Sequence, residues 1–370
     1  MTIFNHLQNT VLPFIDSCKI PDKNAGHYKY SSSSTKETLY SSTYAAMTYS
    51  LLGLLADINI EEKKAWADYI NSFQEDDGLY CDPVIFGEGW YAEDPLWCGR
   101  SHLTCHVFIA LGCLGHTVAK PMSFLNPFKN KNNIIEWLEN SNYSDTVHFT
   151  GNEVMNIGML LQYARDYHGD IEAGEAVKII LDWLATHYIN PETGVWGNLD
   201  INDPYNRSVA VQAAYHFWPL FIYDKYPIPF MESAIDTVLL TQNPSGGFGW
   251  CVKNPDMSYN SSCCEDIDSI DPLIKLTKLT GYRKNDVINT LIKAKNHVLS
   301  NQTPDGGFST SKGTESGYGH HELCSKINEG AMFPAWFRSL TLALIDTFFC
   351  ECENQPSPYI FINLPGYQYY

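Results

Sequence analysis

The stretch SSCCEDIDSIDPL, Ser261 to Leu273, places Glu265, Asp266, Asp268 and Asp271 within two turns of chain. Helix geometry accounts for some of them. A serine such as Ser262 is a good N-cap, and Glu265 and Asp266 would follow in the first turn, at the positive end of the helix dipole. Asp268 and Asp271 lie deeper, three residues apart and on a shared face. A buried carboxylic acid beside another carboxylate keeps its proton to higher pH and can serve as a general acid. Asp268, Asp271 and Asp266, with His320 and His321 further along the chain, are therefore the candidate catalytic residues.

Further candidates recur along the chain: Glu153 and Asn156, then Gln212, His216, Phe217 and Trp218, then Tyr318, Phe333, Trp336 and Arg338. If their segments converge, these side chains would bind a substrate and the rings would stabilise a cation through their faces. Glu153 with Asp268 or Asp271 would instead give the carboxylate pair of glycan-cleaving enzymes. The run WCGRSHLTCHVF offers Cys98, His102, Cys105 and His106, either a metal set or a packed helix start. The segment EDDGLYCDPVIFGEGWYAEDPLW, carrying Trp90, Tyr91 and Trp97, reads as a sugar platform, a lid or an ordinary surface loop.

A repeat must position these groups. TQNPSGGFGW (Thr241 to Trp250) and NQTPDGGFST (Asn301 to Thr310) are near copies, and each follows a segment with apolar residues every three or four positions. Weaker copies surround Gly78 and Gly194. A worn one lies near Trp137, and an N-terminal unit surrounds STYAAMTYSLLGLLA. Each turn precedes a second, more apolar helical segment. The layout predicts an all-α protein, a single (α/α)6 toroid domain over residues 1–370, with a C-terminal strap from about 353. Paired glycines end the first helix of each pair, and the aromatic after them (Tyr80, Trp196, Phe248, Phe308) packs between units.

The turns Gln242 to Gly249 and Gln302 to Phe308 resemble the repeat of squalene-hopene-type terpene cyclases and of protein prenyltransferase β-subunits. That resemblance implies a barrel around an apolar cavity for isoprenoid chains. Asp266-Ile267-Asp268-Ser269 is similar to the cyclase Asp-x-Asp-Asp motif, with Asp268 in the proton-donating place and Ser269 where the third Asp would stand. The prenyltransferase resemblance implies zinc on Cys264 and Asp266, in reversed order, with His320 or His321. The leading expectation is a cyclase-like enzyme without a cofactor, acting on a small apolar isoprenoid-type substrate, possible partner subunit included. The alternatives are a carboxylate-dependent glycan enzyme, zinc-dependent prenyl chemistry and a protein-binding toroid.

Composition narrows the field. A net charge of −18, from 42 acidic and 24 basic residues, argues against nucleic acid as a partner. No stretch of about eighteen apolar residues suggests a membrane span. The N-terminus has no signal-peptide pattern, and the 11 cysteines follow no framework spacing, so a cytoplasmic protein with reduced thiols is expected.

Overall fold

The computed structural model describes residues 2–250 and 261–370. Twelve α-helices follow one another among them as six hairpins: α1 (Ile3–Ser17) with α2 (Leu39–Leu51), α3 (Ile60–Asn71) with α4 (Arg100–Cys113), α5 (Lys131–Asn140) with α6 (Val147–His168), α7 (Ile171–Leu184) with α8 (Pro204–Tyr223), α9 (Met231–Leu239) with α10 (Cys263–Thr280), and α11 (Lys284–Leu299) with α12 (Met332–Cys352). The first helix, α1, is the outer helix that the turn pattern does not mark. A short antiparallel pair, β1 (Ser316–Gly317) and β2 (Cys324–Ser325), precedes α12.

Even-numbered helices form the inner layer. Every residue of α2 is buried, and burial in α12 is unbroken from Met332 to Ile345. By contrast α3 buries only Trp66, Ala67 and Ile70, one stripe of an amphipathic helix.

Contacts group the chain into two compact units: residues 1–120 with 298–364 and 370, and residues 121–297 with 365–369. In the first unit α2 packs on α4 and α12. In the second, α8 packs on α6 and α10. The α6–α8 pair is parallel. Gly151 rests on Ala213, where a Cβ would come within 2.8 Å of the Ala213 carbonyl, Gly158 rests on Leu220, and the Gln162 amide reaches Asp224, 62 residues on.

The repeated turns act as joints between outer helices. The glutamine amide donates to the carbonyl of the first turn glycine and to the neighbouring helix: Gln242 to Gly246 and to Thr290 of α11, Gln302 to Gly306 and to Thr10 of α1. Gly246 has φ +94° and Gly306 φ +92°, each with the next helix's carbonyl about where a Cβ would go. Tyr80, Trp196, Phe248 and Phe308 are all fully buried behind them.

Candidate active site

The acidic cluster starts α10. Ser262 and Glu265 form a reciprocal capping box, so Glu265 completes the helix start. Asp266 faces the outer layer: its Oδ1 accepts the Phe248 N–H at 3.0 Å and the Ser261 hydroxyl at 2.9 Å, and His297 Nε2 lies 3.6 Å from Oδ2. These bonds staple the Gly-Gly-Phe turn to α10. They remove Asp266 from both the catalytic and the zinc roles expected of it.

Two residues further on, a helix has turned by more than half a circle. Asp268 therefore faces the opposite way, on a stripe with Cys264, Asp271 and Lys275. Tyr215 of α8 lies against this stripe. Burial, and then the charges of Asp271 and Asp268, push its hydroxyl well above the ordinary tyrosine value. Asp271 is held by buried Lys275, whose Nζ is 2.8 and 3.0 Å from its two oxygens, so it is an ion-pair member rather than a free acid. Asp268 is different. It is 3% exposed, and no hydrogen bond to it forms among the described residues. Burial, then Glu265, Cys263, Asp271 and Asp266, hold its carboxyl well above the usual range. The environment thus favours the protonated form of Asp268. The Cys264 thiol is likewise pushed up, by a hydrogen bond with Cys263 and by burial, and among the described residues Cys264 and Asp266 do not come together with a histidine as a ligand set.

The wheel of α8 is fixed by its neighbours. Ala213 and Leu220 meet α6, and Tyr215 meets α10. Phe217 and Trp218 pack on Trp196, with ring centroids at 5.2 and 6.2 Å, so these two expected substrate rings belong to the outer packing. Gln212 and His216 occupy the remaining face. His216 Nδ1 is 2.6 Å from the Gln212 carbonyl, and burial pushes the ring down to about 4, so it is neutral at pH 7. His148 of α6 also lowers it, which sets the two rings near each other. His148 Nδ1 and Asn152 Oδ1 are buried without a partner. Asn156 is fully buried on the same helix, and burial raises the carboxyl of Glu153. Unmet hydrogen-bonding atoms of this kind destabilise a fold by roughly 1–3 kcal/mol each, unless water or a ligand meets them.

The first unit holds a separate cluster of rings. Tyr44 stacks on Trp336 at 5.3 Å and on Tyr40 at 5.7 Å, and Phe333 lies 4.7 Å from Tyr318. The Tyr40 hydroxyl is 2.6 Å from His102 Nδ1, and His106 Nδ1 is 2.9 Å from the His102 carbonyl. Cys98 Sγ lies 3.3 Å from the Trp90 carbonyl, and burial raises the thiols of Cys98 and Cys105. Among the described residues Cys98, His102, Cys105 and His106 do not converge their ligand atoms, so the set is a packed helix start. Buried Arg338, expected to bind substrate, instead holds the carbonyls of Ser309 and Thr310 at 2.9 and 2.7 Å.

His320 and His321 do meet a third ligand type, since Glu88 Oε2 lies 3.2 Å from each ring. Residues 88–91 are fastened here by the Trp90 N–H to the Gly319 carbonyl and by the Tyr91 hydroxyl to the Tyr318 carbonyl. A metal does not fit this group as it stands. The Glu322 N–H donates to His320 Nδ1 at 3.1 Å, which leaves the neutral ring's proton on Nε2, the nitrogen turned to Glu88. A ligating histidine carries the opposite arrangement, with its far nitrogen donating.

Sequence reasoning missed Tyr215, His148, Lys275, Tyr40, Tyr44 and Glu88. Two of these left a signal: Tyr40 and Tyr44 on α2 repeat the spacing of His102 and His106 on α4, and Tyr40 meets His102 at an offset of 62 residues.

No family model matches the chain, and no curated protein does. Solved structures do. An unsaturated glucuronyl hydrolase specific for heparin is similar over 95% of this chain and 98% of its own, at 9% identity and a TM-score of 0.52. A glycosyl hydrolase family 88 protein from Bacteroides vulgatus is similar over 94% and 99%, at 12% identity and a TM-score of 0.51. A type II terpene cyclase from Scytonema reaches a TM-score of 0.44 at 13% identity, over 93% and 98%, too remote to weigh. The fold is thereby an all-α, (α/α)6 toroid. The resemblance drawn from the glycine turns holds at the level of that fold. Among the described residues no helix is long and apolar enough to cross a membrane.

Proposed function

We propose that the chain is a carboxylate-dependent, glycan-processing enzyme with Asp268 as its proton donor. The observation that carries this reading is the setting of Asp268, the one carboxyl of the α10 cluster that is buried, pushed toward its protonated form and outside any hydrogen bond or ion pair among the described residues. The side chains on the adjoining faces of α6 and α8 favour a sugar over a hydrocarbon. Gln212, His216, His148 and Asn152 offer hydrogen bonds that a hydroxylated ligand would meet and an isoprenoid would leave unmet. Both solved structures above a TM-score of 0.5 named here are glycan hydrolases by description, which agrees with this choice without deciding it.

The test is turnover of a panel of oligosaccharides, including unsaturated uronides, by wild type and Asp268→Asn. Expected is activity on at least one glycan and its loss, by about a hundredfold or more, in the variant. Full activity in Asp268→Asn would end the reading. A cyclase-like action on an isoprenoid stays as the second reading because of the stacked rings Tyr40, Tyr44 and Trp336 in the first unit. Conversion of squalene or a polyprenyl probe, with no glycan touched, would favour it.

A further inference from the structure

An acid that protonates a leaving oxygen needs a partner that activates water. The other carboxyls of α10 are engaged: Glu265 in the capping box, Asp266 in the turn staple, Asp271 with Lys275. Glu153 lies two residues from Gly151, the α8-facing position of α6, and so points away from α8.

The remaining face of α8 supplies the group. Ala213 and Leu220 meet α6, Tyr215 meets the Asp268 stripe, and Phe217 and Trp218 meet Trp196 behind. His216 lies between the α6 and α10 sides, turned from the outer packing and partly exposed. A carbonyl can only accept, so the contact of 2.6 Å to Gln212 fixes the ring proton on Nδ1 and leaves the lone pair on Nε2. We propose that His216 is the general base of the reaction in which Asp268 is the acid. This rests on the glycan reading above.

Nε2 takes a proton from water while the water oxygen bonds to the anomeric carbon. The bond from that carbon to the leaving oxygen breaks with its electron pair, and Asp268 gives that oxygen its proton. One water is consumed. The imidazolium and the carboxylate left behind are reset when one proton passes from His216 to Asp268 through solvent. Burial and the neighbouring His148 keep the ring neutral before the reaction and favour prompt loss of the proton afterwards. His106 has the same fixed tautomer, with Nδ1 on the His102 carbonyl, but its ring is sealed among Tyr40, Tyr44 and Trp336.

A 2,4-dinitrophenyl glycoside needs no proton on its leaving group, so it separates the two roles. On a panel of these substrates Asp268→Asn should keep most of its rate, while His216→Ala should lose about a hundredfold or more. Sodium azide should restore turnover to His216→Ala and yield the glycosyl azide. A His216→Ala enzyme within a few-fold of wild type, or one whose loss azide does not repair, would overturn the base and leave the Asp268 reading in place. A wild type that cleaves neither these glycosides nor any oligosaccharide would overturn both. Independently of substrate, long-range proton–nitrogen NMR of histidine-labelled wild type should show the Nδ1–H tautomer at His216 at neutral pH. An Nε2–H tautomer there would sink the proposal.

Discussion

At the residue scale, the protein keeps a buried carboxyl with a raised pKa beside an ion pair, and the two respond differently to substitution. Removing Lys275 leaves the Asp271 carboxyl buried and alone, so Lys275→Met should cost about 3–5 kcal/mol of stability. Adding Asp271→Asn to that variant should recover most of the loss in a urea melt. Asp268 should behave in the opposite way. Its folded value lies above the ordinary 3.8, so folding favours its protonated form, and stability falls as pH rises through the folded value. Asp268→Asn, which cannot ionise, should therefore be at least as stable as wild type at neutral pH, with any advantage gone near pH 3. A neutral-pH Tm well below wild type would contradict that sign. The spacing of the acidic run made Asp268 legible in the sequence. It could not show that Asp266 serves a turn, because the Phe248 N–H that binds it comes from eighteen residues upstream.

At the element scale, the turn glycines were readable because two paired glycines before an aromatic have few other uses. They are not equivalent, however. At Gly246 the backbone is left-handed and a Cβ would meet the Lys293 carbonyl at 2.6 Å, whereas at Gly281, also left-handed, nothing lies within 4 Å. Gly246→Ala should destabilise by roughly 3 kcal/mol or more, a backbone penalty plus an unrelieved overlap. Gly281→Ala carries the backbone penalty alone, roughly 1–2 kcal/mol. Equal midpoints for the two in denaturant would refute the joint role of Gly246. What the sequence hid at this scale was rotation. Helices such as α8 are apolar on nearly all sides, so no polar face tells which way they sit. Phe217 and Trp218 were therefore placed on the substrate side when Trp196 holds them behind it.

At the scale of the whole chain, the first unit is closed by residues almost three hundred positions apart. The Gly306 turn rests on α1, and the serine-rich segment 31–36 wraps two carboxylates that follow β1 and lie before α12. Glu329 accepts the Ser33 N–H at 2.7 Å along with the Ser32 and Ser33 hydroxyls. Glu322 accepts the Thr35 and Lys36 N–H groups at 2.7 and 3.0 Å and the Thr35 hydroxyl. No composition argument would have found this fastening, since serines and glutamates so far apart look like surface residues. Burial alone would raise both carboxyls, but the bonds outweigh it and hold both below the ordinary 4.5. The stabilisation is thus complete above that value and is lost as pH falls through the lowered folded values. Glu322→Gln with Glu329→Gln should lower the melting temperature at pH 7, at roughly 2 kcal/mol for each charged set removed. The gap between variant and wild type should narrow as pH drops below about 4.5, where the native carboxyls take up protons as well. A gap that stays constant from pH 7 to pH 3 would mean that these carboxylates act through shape and not through charge.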